Sequence, residues 1–147
     1  MTYKKTFLAS ELYELFNEIV YSSDGEFVLY CAMKNGVFCK ECKPTTDQIN
    51  EARDAIMSIH ELIMSSLQST DSHDFPATAF ISFIYTAMSE AYEQSNSLCV
   101  ENSEHLSPVA NAFLFRAYFY LMGKFIEETF YDDPIEVITV KFDKFKD

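Results

Sequence analysis

The sequence predicts a single α+β domain in which about four helices pack on one face of a small antiparallel sheet. Four long segments repeat apolar residues every three or four positions, as amphipathic or buried helices do. Residues 26–42 have the pattern of a β-hairpin, and residues 135–143 that of a further strand whose obvious partner is this hairpin. A length of 147 residues is typical of one domain, so we assign residues 1–147 to a single unit.

The first predicted helix covers residues 7–21. Its apolar side chains recur on one face, which we expect to enter the core: Leu8, Leu12, Leu15, Phe16 and Ile19. Three glutamates lie largely opposite, as expected for the solvent face of an amphipathic helix: Glu11, Glu14 and Glu18.

The hairpin prediction depends on the dipeptide Asn35-Gly36. Asn-Gly favours a two-residue type I′ turn, because both central residues of that turn need a positive φ. Two apolar runs flank the dipeptide, and the resulting register places six side chains on the core face: Phe27, Leu29, Cys31, Met33, Phe38 and Cys42.

Two further helices occupy the middle of the chain. The second predicted helix follows Pro44 and runs to about Ser69, and Thr45 and Gln48 have the spacing of a capping box at its start. Its apolar seam consists of Ile49, Ala52, Ile56, Ile59 and Ile63. After a loop, a third helix begins at Pro76, with a core stripe of Phe80, Phe83, Ile84, Ala87, Met88 and Ala91. We expect residues 95–107 to form a polar connection.

The most apolar segment, residues 108–131, predicts a helix that is buried on several sides. Ser107 can cap the first turn, and a proline such as Pro108 suits the first helical position. A membrane span needs about 20 apolar residues, whereas three polar side chains interrupt this run: Asn111, Arg116 and Lys124. In the last segment, alternate residues share one face as in a strand: Ile138, Val140 and Phe142.

The charge of the chain is strongly negative and unevenly distributed. The formal net charge is −12, and residues 44–133 contain fourteen acidic side chains but only three basic ones. Binding to nucleic acid or to an anionic membrane calls for a basic face, so we expect neither kind of partner. An acidic surface instead attracts a basic protein.

Cysteine usage predicts neither a disulfide framework nor a metal site. No apolar stretch typical of a secretory signal follows the N-terminal lysines, so we expect a cytoplasmic protein whose four cysteines are reduced. Cys39 and Cys42 have C-x-x-C spacing, but a regular strand directs them to opposite faces; a zinc site would need a local bulge. We therefore predict no cofactor.

No catalytic motif is evident. The segment His60-Glu61-Leu62-Ile63-Met64 begins like the H-E-x-x-H helix of metalloproteases, but Met64 occupies the position of the second ligand. His73 and His105 lie in polar segments beside acids, where histidines are usually solvated. Phosphate loops, nucleophile elbows and dinucleotide fingerprints are missing from the sequence, so we predict a binding protein rather than an enzyme.

The end of the most apolar helix is the predicted binding site. Acids gather where the helix dipole is negative, which costs a few tenths of a kcal/mol each, and aromatic residues lie between them. Such aromatic anchors within a charged rim are common in protein interfaces. The predicted partner-binding residues are Glu127, Glu128, Phe130, Tyr131, Asp132 and Asp133.

These observations predict a small acidic protein that neutralises a basic partner, as an immunity protein does when it inhibits a nuclease-type bacterial toxin. One alternative is a phage-encoded inhibitor that imitates the charge of nucleic acid. Another is a helical pocket protein that binds a small apolar ligand or a metal in its aromatic core. A third is a homodimer that buries the surplus of Phe and Tyr.

Overall fold

Four helices and a three-stranded sheet make up the described part of the chain. The structure is a computed structural model, and it describes residues 5–23, 45–68, 74–101, 108–130 and 138–142. The predicted α+β class is confirmed, with helix as the larger part. In chain order, the elements are β1 (Lys5–Leu8), α1 (Ala9–Ser22), α2 (Thr46–Gln68), β2 (Asp74–Pro76), α3 (Ala77–Glu101), α4 (Pro108–Phe130) and β3 (Ile138–Lys141).

The sheet is mixed, whereas the sequence predicted an antiparallel one. The central strand β3 pairs in parallel with β1 and antiparallel with β2. Val140 of β3 accordingly lies opposite both Phe7 and Phe75. Within the described ranges, the partners of the C-terminal strand are thus β1 and β2, and the hairpin predicted at residues 26–42 lies outside those ranges.

The two partner strands carry little signal in the sequence because both are short. β1 has four residues and leads directly into α1, so Leu8 belongs to the strand and not to the first helix. β2 has three residues, Asp74 to Pro76, at the end of the segment predicted as a loop, and the third helix begins at Ala77 rather than at the predicted Pro76. Pro76 lacks an N–H group, which suits the edge position that β2 occupies in the described sheet.

Helices α3 and α4 pack side by side in antiparallel directions. Tyr85 stacks on Phe119 with ring centroids 5.7 Å apart, and Tyr92 stacks on Phe115 at 5.4 Å. One turn further along α3, the Ser95 hydroxyl and the Asn111 side-chain amide form a hydrogen bond of 3.1 Å. Helix α3 continues to Glu101, so residues 95–101, which the sequence assigned to a polar connection, are helical.

The serines of this polar segment of α3 have hydrogen-bond partners within their own helix and on the neighbouring helix. Ser95 Oγ donates to the carbonyl of Tyr92, and Ser97 Oγ donates to that of Glu93. Hydroxyl groups bonded back to the preceding turn are satisfied inside the helix. The bond from Ser95 to the buried Asn111 adds a tertiary contact that composition alone does not reveal.

Helices α1 and α2 are also antiparallel. Polar contacts fix both the start of α2 and the end of α1. The capping box predicted at the start of α2 is confirmed. Thr45 N donates to Gln48 Oε1 at 2.8 Å, and Gln48 N donates to Thr45 Oγ1 at 3.2 Å. The Tyr21 hydroxyl donates to Asp54 Oδ1, and Arg53 Nη2 donates to the carbonyl of Ser23.

Phe16 lies at the centre of the core that joins α1, α2 and α4. Its ring centroid is 4.3 Å from that of His60 and 5.8 Å from those of Tyr118 and Phe125. All four side chains are buried. Tyr118 and Phe125 of α4 thus pack against neighbouring helices, as predicted for a helix buried on several sides, whereas Tyr120 of the same helix is 51% exposed.

Candidate functional site

A groove of about 360 Å³ lies where β1, α1 and the C-terminal end of α4 meet. Each of the three elements lines it with at least two side chains. The lining residues are Lys5, Phe7, Leu15, Glu18, Ile19, Glu128 and Thr129. The groove thus joins the predicted acidic helix end to two elements that are more than 100 residues earlier in the chain.

The apolar part of the groove comes from three side chains. Phe7 contacts the buried Phe130 edge to face, with ring centroids 5.5 Å apart, which fixes its position at the base of α4. Ile19 is 9% exposed and Leu15 is 37% exposed. Leu15, predicted for the core, therefore lies at its margin, because the buried face of α1 is centred on Leu12 and Phe16.

The charged part of the groove consists of two glutamates and one lysine. Glu18 of α1 and Glu128 of α4 are exposed and line the same groove. Lys5 lines it as well, with its Nζ atom 4.9 Å from the centroid of the Phe7 ring. A cation–π contact of this kind is electrostatically favourable within about 6 Å. The groove therefore holds a cation over an aromatic ring, with carboxylates at its rim.

The predicted site residues differ in their surroundings. Glu127 and Glu128 are exposed, as a binding role requires. Phe130 is only 6% exposed and packs on Phe7 and Phe125, so its ring supports the groove from the core and is not a free anchor. The remaining members lie outside the described residues: Tyr131, Asp132 and Asp133.

Sequence reasoning missed the contribution of α1 to this surface. Glu14 and Glu18 are exposed on the same helix face as Leu15. The available signal was the position of Leu15 at the edge of the apolar face, next to Glu14 and three residues before Glu18. It could not be interpreted, however, without knowing which element packs beside it.

A second acidic region covers α2 and α3. The sequence contains no lysine or arginine between Arg53 and Arg116. Arg53 is itself half-buried, where it donates to the Ser23 carbonyl and lies 5.8 Å from the centroid of the Tyr21 ring. Arg53, the basic residue of α2, therefore bonds to the end of α1. The exposed acids of α3, Glu90 and Glu93, have no basic residue on their own helix.

His60 is a core residue rather than a metal ligand. It is 2% exposed, and its Nδ1 atom lies 2.8 Å from the hydroxyl oxygen of Tyr118, which is fully buried. Burial lowers the pKa of His60 to about 3, so the ring is neutral at pH 7. The part of the chain that the structure describes contains no group of three or more His, Cys, Asp or Glu side chains that could hold a metal ion.

Several predictions about single residues lie outside the described residues. These include the C-x-x-C pair Cys39 and Cys42, and the loop histidines His73 and His105. Among the helices that the structure covers, none is long and apolar enough to cross a bilayer. Comparison with protein-family models, with characterised proteins and with solved structures finds no match to this chain.

Proposed function

We propose that this protein binds a basic surface of another protein and covers it, as an immunity protein does when it inhibits a nuclease-type bacterial toxin. The observation that carries the proposal is the groove at the end of α4, where exposed acids surround exposed apolar surface. Glu18 and Glu128 provide the charge of the groove, and Glu127 is exposed next to Glu128 at the same helix end. Leu15 provides apolar area that is accessible to a partner.

Electrostatic attraction gives such a surface a kinetic advantage. Opposite charges can raise association rates to about 10⁸–10⁹ M⁻¹s⁻¹ at low salt. The formal charge of −12 acts on a basic partner before contact, and salt screens this attraction beyond about 10 Å at 0.1 M. We therefore expect rapid binding that slows as salt is added.

Apolar contact at the groove supplies the part of the affinity that salt does not remove. Interfaces commonly consist of an apolar centre within a polar rim. Here Leu15 and Phe7 provide the apolar lining, and Glu18 and Glu128 are exposed beside them. A toxin surface that normally holds nucleic acid is basic, and its charge complements that of the exposed glutamates.

A phage-encoded inhibitor that imitates nucleic acid would use the same physics, and the identity of the captured partner separates the two versions. A pocket for a small apolar ligand has less support. In the interior between α1, α2 and α4, the ring of Phe16 contacts those of His60, Tyr118 and Phe125, and His60 also contacts Tyr118.

Charge reversal at the helix end tests the function. We expect the unmodified protein to capture a basic protein from its native host, and the variant Glu127→Lys/Glu128→Lys to associate with that purified partner at least about tenfold more slowly at low salt. The physical reason is that the variant places positive charge where the partner is positive. Stopped-flow or surface-based kinetics at two salt concentrations would measure the rates.

The matched control makes the same change in net charge on a different helix, α3. Glu90→Lys/Glu93→Lys changes α3 on either side of Tyr92. Because Tyr92 stacks on Phe115, this position lies beside a part of α4 that is about 18 Å along the helix from Glu127. This control should slow association much less. Failure to capture any basic protein, or equal rates for both charge-reversed variants, would contradict the proposal.

A further inference from the structure

We propose that the groove between β1, α1 and α4 receives an arginine or lysine side chain of the partner over the ring of Phe7, and that Lys5 competes for this position. The inference rests on the proposed function, because it names the partner side chain that the same surface recognises. It adds a specific role for β1, which carries both the aromatic platform and the competing cation.

The contact between Lys5 and Phe7 shows that the groove accepts a cation. Both residues line the groove, and the ammonium nitrogen lies 4.9 Å from the ring centroid. Phe7 is held in place by Phe130, so the platform is fixed before a partner arrives. A preorganised platform lowers the ordering cost of binding.

The remaining lining residues complement a long cationic side chain. Glu18 and Glu128 offer carboxylates from two different helices, and both are exposed to an incoming charge. Leu15 and Ile19 offer aliphatic contact to the methylene stem of the same side chain. Arginine fits best, because its planar guanidinium both stacks on aromatic rings and bonds carboxylates in pairs.

The size of the groove limits what it can hold. A volume of about 360 Å³ is at the lower end of the range for ligand sites, roughly 300–1,000 Å³. It suits one long side chain with its neighbouring backbone, whereas a folded element of a partner would have to lie across the rim. The groove therefore recognises one anchor residue within a larger interface.

Competition by Lys5 has a defined direction. Its ammonium group occupies the position over Phe7 and carries the same charge as the incoming side chain. Replacing it with methionine keeps an unbranched apolar stem and removes the charge. Binding of an external cation should then become tighter, whereas loss of a merely structural lysine would leave that binding unchanged.

The probe is blocked arginine, N-acetyl-arginine-N-methylamide, titrated into the full chain and followed by amide chemical shifts. We expect saturable shifts at Phe7, Glu18 and Glu128. Blocked citrulline has nearly the same shape without the charge and should bind much more weakly. Lys5→Met should lower the Kd for blocked arginine by about threefold to fivefold, and Phe7→Leu should raise it by a similar factor.

A matched pair of surface variants guards against misfolding as an explanation. Glu18→Gln/Glu128→Gln should raise the Kd, whereas Glu90→Gln/Glu93→Gln, with the same charge change on α3, should not. Absence of saturable shifts at the groove, equal binding of citrulline, or an unchanged Kd in both Lys5→Met and Phe7→Leu would overturn the inference.

The outcome also separates this inference from the proposed function. If a basic partner binds and responds to Glu127→Lys/Glu128→Lys while blocked arginine fails to bind the groove, only the anchor assignment is wrong. If blocked arginine binds as described but no basic protein is captured, the groove stands as a cation site and the proposed function is wrong.

Discussion

At the scale of the residue, the pair of His60 and Tyr118 shows how a polar contact can be kept inside an apolar core. Each side chain provides the other with a hydrogen-bond partner at 2.8 Å. Burial lowers the pKa of His60 to about 3 and raises that of Tyr118 well above its ordinary value, so both groups are neutral at pH 7. A buried polar group without a partner would cost about 1–3 kcal/mol.

Acid should destabilise the protein through His60. In the unfolded chain its pKa is the ordinary 6.5, so between pH 6.5 and about 3 the unfolded state binds a proton that the folded state does not. Stability therefore falls as pH falls through this window, by up to about 1.4 kcal/mol per pH unit from this group alone. Urea unfolding at several pH values between 7 and 4 would measure the slope.

Carboxylates titrate in part of the same window, so the histidine contribution is obtained by difference. The double variant His60→Leu/Tyr118→Phe removes both polar partners and should show a shallower dependence on pH than the unmodified protein. Tyr118→Phe alone keeps the histidine and should keep the steep slope. Parallel curves for the unmodified protein and the double variant would show that His60 is not responsible.

At the scale of the element, α2 shows how a helix can be predicted correctly while its buried face is misplaced. The predicted seam included Ile49, Ala52 and Ile59, which are only partly buried. The buried face instead includes Met57, His60 and Met64, together with the correctly predicted Ile56 and Ile63. The buried face differs from the predicted one because α2 contacts three helices, α1, α3 and α4. The polar residue His60 can be part of this face because Tyr118 of α4 provides its hydrogen-bond partner.

Two neighbouring residues of α2 allow a direct test of this orientation. Ile63 is 6% exposed and Leu62 is 72% exposed, although both are large aliphatic side chains. Ile63→Ala should lower the free energy of unfolding by about 2–5 kcal/mol, because it removes buried methyl groups and leaves a cavity. Leu62→Ala should change it by about 0.5 kcal/mol or less.

Denaturant unfolding of both variants against the unmodified protein would provide the comparison. Because the two positions are adjacent, differences in helix propensity and in local sequence are small beside the expected effect. Equal losses of stability at the two positions would mean that α2 presents a different face to the core.

At the scale of the whole molecule, the sheet connects parts of the chain that are far apart in sequence. β3 lies between β1, near the start of the chain, and β2, near its middle. Val140 is fully buried, opposite Phe7 and Phe75. The same arrangement positions β1 beside the end of α4, so the groove depends on the sheet being formed.

A charge at the centre of this sheet should therefore disrupt the fold. Val140→Asp buries a carboxylate and should lower the free energy of unfolding by about 4 kcal/mol or more, a large part of the total stability of a typical domain. Thr6→Asp places the same charge on an exposed residue of β1 and should have a small effect. Thermal unfolding followed by circular dichroism would distinguish the two, and similar melting curves would contradict the central placement of β3.

Local sequence patterns were sufficient to predict the four helices, the capping box of Thr45 and Gln48, the alternation in β3 and the acidic charge. These features depend on residues a few positions apart, whose spacing directly sets local backbone geometry. Packing of distant segments selected the partners of β3, the burial of His60 and Phe130, and the placement of Glu18, Glu128 and Phe7 along one groove. Those outcomes depend on contacts between distant segments, because short strands and the orientation of a helix face are selected by packing rather than by local pattern.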